Sequence, residues 1–457
     1  MPYILGSPEE RSVAEVRPFR GLRYNLTRIG GDLSRVISPP YDVISPEEQL
    51  FYYHRSPYNV IRLEHGQELP DDLPGSNKYS RAAATLRQWV QEGTLLRDEQ
   101  PSFYLIEHRF LHQDSMRSRW GLIARVRLEE LSSGRIRPHE ATMREPALDR
   151  LLLLKECRTN LSPVMGIYRH GAGLPQLVPE VVQSPPTMTA VDSYGVAYNT
   201  WVVSDKKVLG RLSDSFADRV LYIADGHHRY ETALTYAKEQ RICHVPCTGD
   251  EPYNFIMMAL MDSEDPGLEM LPAHRLVRGL DPGLLAQMEK ELARYFNTVK
   301  MLPPQATLSE TLKGWLDALN ELGQRGTAFG MYGRHGERLC LLLAKDRELL
   351  RQQMPPEQPL PWKDLDVTVL HWVIIRPMLR IDSREEEKAH LDYTRDGLEA
   401  VVRVNAGESQ LAFFMNPAPV SSVLAAADAG ARLPQKSTYF YPKTPTGLVM
   451  NPLDDDL

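Results

Sequence analysis

Apolar residues run unbroken from Val220 to Ala224 and stop at Asp225-Gly226. A short apolar run ended by a turn pair predicts a buried strand. Beyond the turn, Tyr230, Ala233, Leu234 and Ala237 recur at i, i+3, i+4 and i+7, the spacing of a helix with one apolar face. His227, His228 and Arg229 then fall in the first turn of a helix that leaves a buried strand.

The same reading gives the rest of the chain. Val16 to Arg23 predicts a short strand and turn, and Asn59 to Glu64 alternates as a strand. Tyr79 to Glu92 predicts an amphipathic helix on Ala82, Leu86, Trp89 and Val90. Ser102 to Phe110 and Arg119 to Leu128 alternate on either side of a polar tip, His112 to Ser118, and predict a long hairpin. Ala147 to Thr159 predicts a helix with Leu148, Leu151, Leu152 and Cys157 inward. Strands follow between Thr187 and Val203, a helix over Val208 to Phe216, and a buried strand over Tyr253 to Leu260. Past Asp281 come helices at Leu284 to Tyr295 and Leu308 to Leu322, and a hairpin at Ala328 to Gly333 and Arg338 to Leu343. An apolar helix at Asp364 to Leu379 and strands at Val401 to Val404 and Gln410 to Met415 complete this part.

Punctuation refines the pattern. Pro39-Pro40 forces an extended segment that presents Tyr41 and Asp42. Ser45-Pro46-Glu47-Glu48 is a helix start, with Ser as cap and Pro at the first position. The 35 prolines mark turns and element boundaries, and no internal repeat or low-complexity tract is present.

Composition narrows the class. The 457 residues are enough for two or three domains, and 42% hydrophobic with 25% charged is ordinary for a soluble protein. A net charge of -7 lacks the basic excess of a nucleic-acid binder. No apolar run approaches a membrane span, and Met1 to Glu10 has neither the basic start nor the apolar core of a secretory signal. Four cysteines in this length argue against a disulfide framework, so the expected location is cytoplasmic. The acidic tail, Asp454 to Asp456, is expected to fray.

Candidate chemistry centres on Asp225 to Arg229. A helix start offers free N–H groups and a positive dipole end, which suits a phosphate or carboxylate. The plain structural alternative is that Asp225 caps the helix and the basic side chains are solvated. His139-Glu140, after Pro138, sets an imidazole beside a carboxylate. His274-Arg275 is a second basic pair at an element end, and Lys436 and Lys443 lie on an extended segment, Leu433 to Leu448. That segment reads either as an edge strand with lysine gatekeepers or as an anion contact. Lys436-Ser437-Thr438 lacks the preceding glycines of a Walker-A loop, and no GxGxxG follows a strand. Cys243-His244-Val245-Pro246-Cys247 has no second pair at zinc-finger spacing. His227, His228 and Glu231 could form a hydrolytic metal site, although their spacing differs from His-Glu-x-x-His.

Asp225-Gly226-His227-His228-Arg229 with Ala233 resembles the phosphate-binding motif of the ParB/sulfiredoxin superfamily, which includes free-serine kinases. A wider set of segments resembles a bacterial family known as domain of unknown function 1015, over about residues 16 to 450. They are Arg17-Pro18-Phe19-Arg20, Pro39-Pro40-Tyr41-Asp42-Val43-Ile44-Ser45, Ser56-Pro57-Tyr58-Asn59, Arg137-Pro138-His139-Glu140, Asn160-Leu161-Ser162-Pro163, Pro272-Ala273-His274-Arg275 and Gln435-Lys436-Ser437-Thr438-Tyr439-Phe440. The motif resemblance implies a turn that holds nucleotide phosphates. Sulfiredoxin chemistry needs a Cys where His227 and His228 stand, and the acidic chain gives no support for the DNA binding of ParB proteins.

The expected fold is α/β, a mixed-sheet core with a ParB/sulfiredoxin-like phosphate site, a large insertion and a C-terminal α+β region. The expected divisions are residues 1–95, the N-terminal part of the core; 96–215, an inserted hairpin and helix region; 216–280, the core part with the motif; and 281–457. The implied activity is an ATP-dependent, Mg²⁺-assisted kinase of a small hydroxyl metabolite such as free serine. Alternatives are a nucleotide-binding regulatory module without turnover and a metal-dependent hydrolase. In the kinase scheme Gly226, His227, His228 and Arg229 bind phosphates of ATP or another nucleotide. Asp42, Glu140 or Asp225 is base or Mg²⁺ ligand, and Tyr41, His139, His274, Arg275, Lys436 and Lys443 contact substrate or anion. The expected partners are the nucleotide and its small-molecule substrate, with no nucleic acid and no membrane.

Overall fold

The structure is a computed structural model that describes residues 14–454 except 113, 114, 143, 172, 173, 335 and 337. Met1 to Glu10, two residues of the expected hairpin tip (Gln113 and Asp114) and tail residues Asp455 and Asp456 lie outside the described residues.

The chain divides into two compact units. The first comprises Met1–Pro138, Thr142–Glu269 and Pro442–Leu457; the second comprises His139–Ala141 and Met270–Tyr441. Apart from residues 139–141 and 270–280, the regions expected as core halves and insertion share one unit, which the last residues of the chain rejoin.

The first unit is built on a nine-stranded mixed sheet. In chain order its strands are β1 (Val16–Arg17), β2 (Phe103–His112), β3 (Ser115–Arg127), β4 (Ile136–Pro138), β5 (Val164–Tyr168), β6 (Met188–Val191), β7 (Ala197–Val203), β8 (Leu221–Asp225) and β9 (Phe255–Asp262). Across the sheet they run β4-β8-β5-β9-β3-β2-β7-β6, with β1 also on β3. The pairs β8–β4 and β9–β5 are parallel, and the other pairings are antiparallel. The long hairpin β2–β3 forms as its alternation predicts, and β3 pairs directly with β9. Strand β8 lies between β4 and β5 with Leu221, Tyr222, Ile223 and Ala224 all buried, which explains its unbroken apolar run.

The helices of this unit include α1 (Pro46–Arg55), α2 (Ile61–Glu64), α3 (Arg144–Cys157) and α4 (His227–Cys243). Helix α1 starts at the Ser45 cap expected from the sequence, and Glu48 completes a capping box there. Helix α2 corrects the strand expected at Asn59 to Glu64; Val60, Ile61, Leu63 and Glu64 are all buried there, so the apolar pattern reflects burial on several sides. In α3 the buried row is Arg150, Leu153, Leu154 and Cys157, whereas Leu148 and Leu152 are exposed, so the inward face is rotated from the expected one. Helix α4 buries His227, Tyr230, Ala233, Leu234 and Ala237 as one face, and the Tyr230 hydroxyl donates to Glu129 O at 2.9 Å.

The second unit carries a six-stranded sheet of β10 (His274–Val277), β11 (Phe296–Leu302), β12 (Ala328–Tyr332), β13 (Leu339–Ala344), β14 (Leu391–Thr394) and β15 (Leu411–Met415). The order is β11-β13-β12-β15-β10-β14, with every pair antiparallel. Trp315, Leu319, Leu341, Ala412 and Phe414 belong to its core. The strand expected at Val401 to Val404 is instead part of helix Gly397–Asn405, capped by Asp396, and the apolar helix at Asp364 to Leu379 contains a π-helical stretch at Leu370–Ile375. From Leu433 to Leu448 only Phe440–Tyr441 is strand. No helix among the described residues is long and apolar enough to cross a membrane.

Candidate functional site

Strand β8, inside the sheet, delivers the motif at its C-terminal end, and Gly226 turns it into α4. Gly226 sits at φ 87, ψ 31, in the left-handed region where a side chain is strained. It occupies the cap position of a 17-residue helix and offers no side-chain acceptor to the first-turn amides. Asp225 therefore does not cap the helix, against the plain structural reading. Its two carboxylate oxygens are taken by cations instead. Arg229 donates from Nη2 to Oδ2 at 2.8 Å, and Lys443, 218 residues on, donates from Nζ to Oδ1. Both cations and the aspartate are nearly buried.

The Arg229 guanidinium folds back over the turn. Its Nη1 donates to Ser162 Oγ at 3.1 Å and to Pro163 O at 2.5 Å, at the start of β5. A Cβ built on Gly226 would lie 2.9 Å from three atoms of that guanidinium. Glycine is thus required twice, by its backbone angles and by the arginine packed against it. Arg229, expected to bind phosphates, is paired with Asp225 in this structure, and its Nε is buried without a partner.

Behind the turn lies a second layer of charge that sequence reasoning missed. Glu64, at the end of α2, is fully buried and accepts from Ser162 Oγ at 2.9 Å. Arg150 of α3 approaches it at 3.6 Å, donates to Glu64 O at 2.7 Å, and bonds Asp149. Burial raises the Glu64 pKa, opposed by Arg150 and Arg229. Burial works against the Arg150 charge, yet Glu64 and Asp149 outweigh it and hold that pKa above the usual arginine value. The Arg150 guanidinium stacks on the Tyr41 ring at 4.0 Å. Burial pushes the Tyr41 hydroxyl up to about 12, with the charges of Arg150 and Arg229 pulling the other way. Asp42 is exposed beside it, and its charge is felt by both Tyr41 and Glu64. The Pro39 to Ser45 segment and the Asp225 to Arg229 turn, about 180 residues apart, therefore meet through Arg150, Glu64 and Ser162.

One sign of this layer was legible. Arg150 lies three, four and seven residues before Leu153, Leu154 and Cys157, so a charge occupies the apolar row of α3. A charge on a buried row needs a partner. Glu64, Arg150, Ser162 and Arg229 line a cavity of about 50 Å³. That is room for a few waters at most, far below the hundreds of cubic ångströms of a nucleotide pocket.

His227 is buried in the apolar face of α4 and His228 is half-buried at its first turn. Glu231 accepts from Thr142 Oγ1. Among the described residues no group of three His, Cys, Asp or Glu side chains is placed to hold a metal ion, so the hydrolase reading of His227, His228 and Glu231 gains no support.

The remaining predicted residues belong to the second unit. His139 is buried, with Nε2 2.8 Å from Thr438 Oγ1, and Thr438 donates to Glu140 at 3.2 Å. His274 is buried in β10, where Nδ1 accepts the Met415 N–H at 3.2 Å; burial, then Arg275, pushes its pKa down to about 4. Neutral and inside the sheet, it is a structural histidine. Arg275 is buried too, and it meets the carbonyl of Lys436, not its ammonium. Lys436 itself is exposed, with φ 53.

A family model described as Protein of unknown function (DUF1015) matches residues 16–368. The chain belongs to this family. No curated protein matches it. Among solved structures it is similar to a conserved hypothetical protein from Pyrococcus furiosus, at 12% identity and TM-score 0.34, over 71% of this chain and 93% of that one. It is also similar to a free serine kinase in complex with AMP, at 11% identity and TM-score 0.34, over 70% and 86% of the two chains. A C-terminally truncated SbnI from Staphylococcus aureus gives 10% identity and TM-score 0.34, over 72% and 87%. A TM-score at this level is too low to carry an assignment.

Proposed function

We propose that the Asp225 to Arg229 turn holds the phosphates of a nucleotide, ATP or a close relative. On this reading the protein is an ATP-dependent kinase of a small hydroxyl metabolite. The observation that carries it is Gly226: a left-handed glycine joins a buried strand to a 17-residue helix and leaves the first-turn amides without a side-chain cap. Such a turn lets a phosphate approach the backbone at the positive end of the helix dipole. His228 lies at the same turn. Arg229 and Lys443 add positive charge that Asp225 balances, and an arriving phosphate competes with Asp225 for Lys443.

Phosphoryl transfer needs positioning and charge neutralisation more than covalent chemistry. Mg²⁺ fits here as an ion held by substrate phosphates and one or two carboxylates, since the described residues offer no three-ligand cage. Asp42, exposed and next to Tyr41, whose ring packs on Arg150, suits that contact better than Asp225, whose oxygens are both engaged. Asp42 is also the carboxylate of this unit to test as base. The motif's resemblance to free-serine kinases makes free serine the first acceptor.

The test is a nucleotide screen by thermal shift, followed by incubation with ATP, Mg²⁺ and an amino-acid pool. ATP is expected to stabilise the wild type and to lose that effect in Arg229→Ala, and a phosphate ester of one amino acid is expected to accumulate. If no nucleotide stabilises the wild type, the reading fails. Binding without any ester would instead favour a nucleotide-gated module without turnover.

A further inference from the structure

The second unit holds a cavity of about 470 Å³, lined entirely by its own residues. That volume falls in the range of small-molecule pockets. Its walls mix apolar residues with polar ones: Arg275 in β10, Asn416 after β15, Ser422 in the first turn of helix Val420–Asp428, and Asp366.

Arg275 is the unusual member. It is 3% exposed, yet among the described residues no carboxylate pairs with its guanidinium. Its partners are the carbonyls of Ala273 and Lys436, the latter at 3.2 Å, and the Met415 sulfur at 3.3 Å. These take three of the five N–H donors a guanidinium carries, leaving two. Tyr393 lies under the cation at 5.3 Å; burial pushes the Arg275 pKa down to about 10, with the charges of Tyr393, Glu140 and Glu387 pulling the other way. A buried charge without a counter-ion is costly, and chains normally place a carboxylate against it.

Glu140 and Glu387 act on Arg275 through their charge, but neither ion-pairs with it: Glu140 accepts from Thr438 and Glu387 meets His371 at 3.6 Å. Asp364 is held by both Nε and Nη2 of Arg351 at 2.9 Å. Asp366 already accepts from Thr327 and the Ala328 backbone, and burial pushes its pKa up to about 6. Arg347 adds a second positive charge to the lining. Helix Val420–Asp428 starts at Pro419, which has no side-chain acceptor for its amides.

We propose that this cavity is a binding site for a small organic oxyanion, a carboxylate or a phosphate, with Arg275 as its counter-ion. The site stands apart from the nucleotide reading of the first unit, because every residue in it belongs to the second.

The test uses the full chain and hydrogen exchange read by mass spectrometry, with succinate and inorganic phosphate titrated separately against chloride at equal ionic strength. Peptides spanning residues 271–276 and 415–422 are expected to gain saturable protection from at least one anion. Succinate alone would identify a carboxylate site, and phosphate alone a phosphate site. Arg275→Met and Ser422→Phe are both expected to abolish the protection, the second by filling the cavity without touching the guanidinium. Ser422→Phe carries the test alone if Arg275→Met fails to fold. Protection no greater than with chloride, or protection that survives either folded variant, overturns the proposal. Protection at residues 221–232 belongs to the nucleotide reading and is scored separately.

Discussion

Gly226→Ala puts the central turn to the sharpest test. At φ 87 an alanine pays for left-handed backbone, about 1–2 kcal/mol. Its Cβ would also stand 2.9 Å from the Arg229 guanidinium, which must swing away from Asp225, Ser162 and Pro163. Losing a charge-assisted bond of that kind costs about 1.5–3 kcal/mol. The total is about 2.5–5 kcal/mol, non-additive with Arg229 because the two groups touch. The assay is a double-mutant cycle on Gly226→Ala and Arg229→Ala. Opening free energies of the α4 amides, from hydrogen exchange under urea, read this unit apart from the other. In the Arg229→Ala background the cost of Gly226→Ala is expected to fall to the backbone part, about 1–2 kcal/mol. Gly226→Asn, which tolerates the backbone but still carries a Cβ, is expected to fall between Gly226 and Ala. Equal costs in the two backgrounds would refute the claim that Arg229 is packed against the glycine.

Three other outcomes follow from the charged layers. Glu64→Leu removes a buried partner of Arg150 and is expected to destabilise the first unit by about 3–5 kcal/mol in urea unfolding. Asp366 has a folded pKa of about 6 against an ordinary 3.8, so the stability tied to it is full below pH 3.8 and is lost as pH rises through about 6. Asp366→Asn should flatten that decline in unfolding of the second unit, by up to about 3 kcal/mol. Lys443→Ala leaves Asp225 with Arg229 alone and should weaken ATP binding roughly 10- to 100-fold by calorimetry, the worth of one charge-assisted bond.

Much of the motif was legible because local rules agree there. An unbroken apolar run, a turn pair and a 3.6 period placed β8, Gly226 and α4, and the Ser45 cap with Pro46 placed the start of α1. Reading failed where burial came from several sides. Ile61 to Glu64 alternates like a strand, but a helix of four residues buries both kinds of position, the carboxylate included. The valines between 401 and 404 have strand character, yet Asp396 caps a helix through them and leaves Val402 half exposed. The contacts of Glu64 with Arg150 and of Asp225 with Lys443 span 86 and 218 residues, and no local pattern encodes such pairings. Of the candidate residues, His274 has the plainest structural role, since its ring is buried inside the sheet and its Nδ1 accepts a backbone N–H.

The most direct measurement is a crystal structure of the protein grown with ATP or a non-hydrolysable analogue. The account predicts phosphate oxygens within hydrogen-bond distance of the first-turn amides of α4, over Gly226, with Lys443 drawn from Asp225 toward the phosphates. Well-ordered nucleotide elsewhere, with the Asp225 to Arg229 turn and its two cation contacts unchanged, would contradict it.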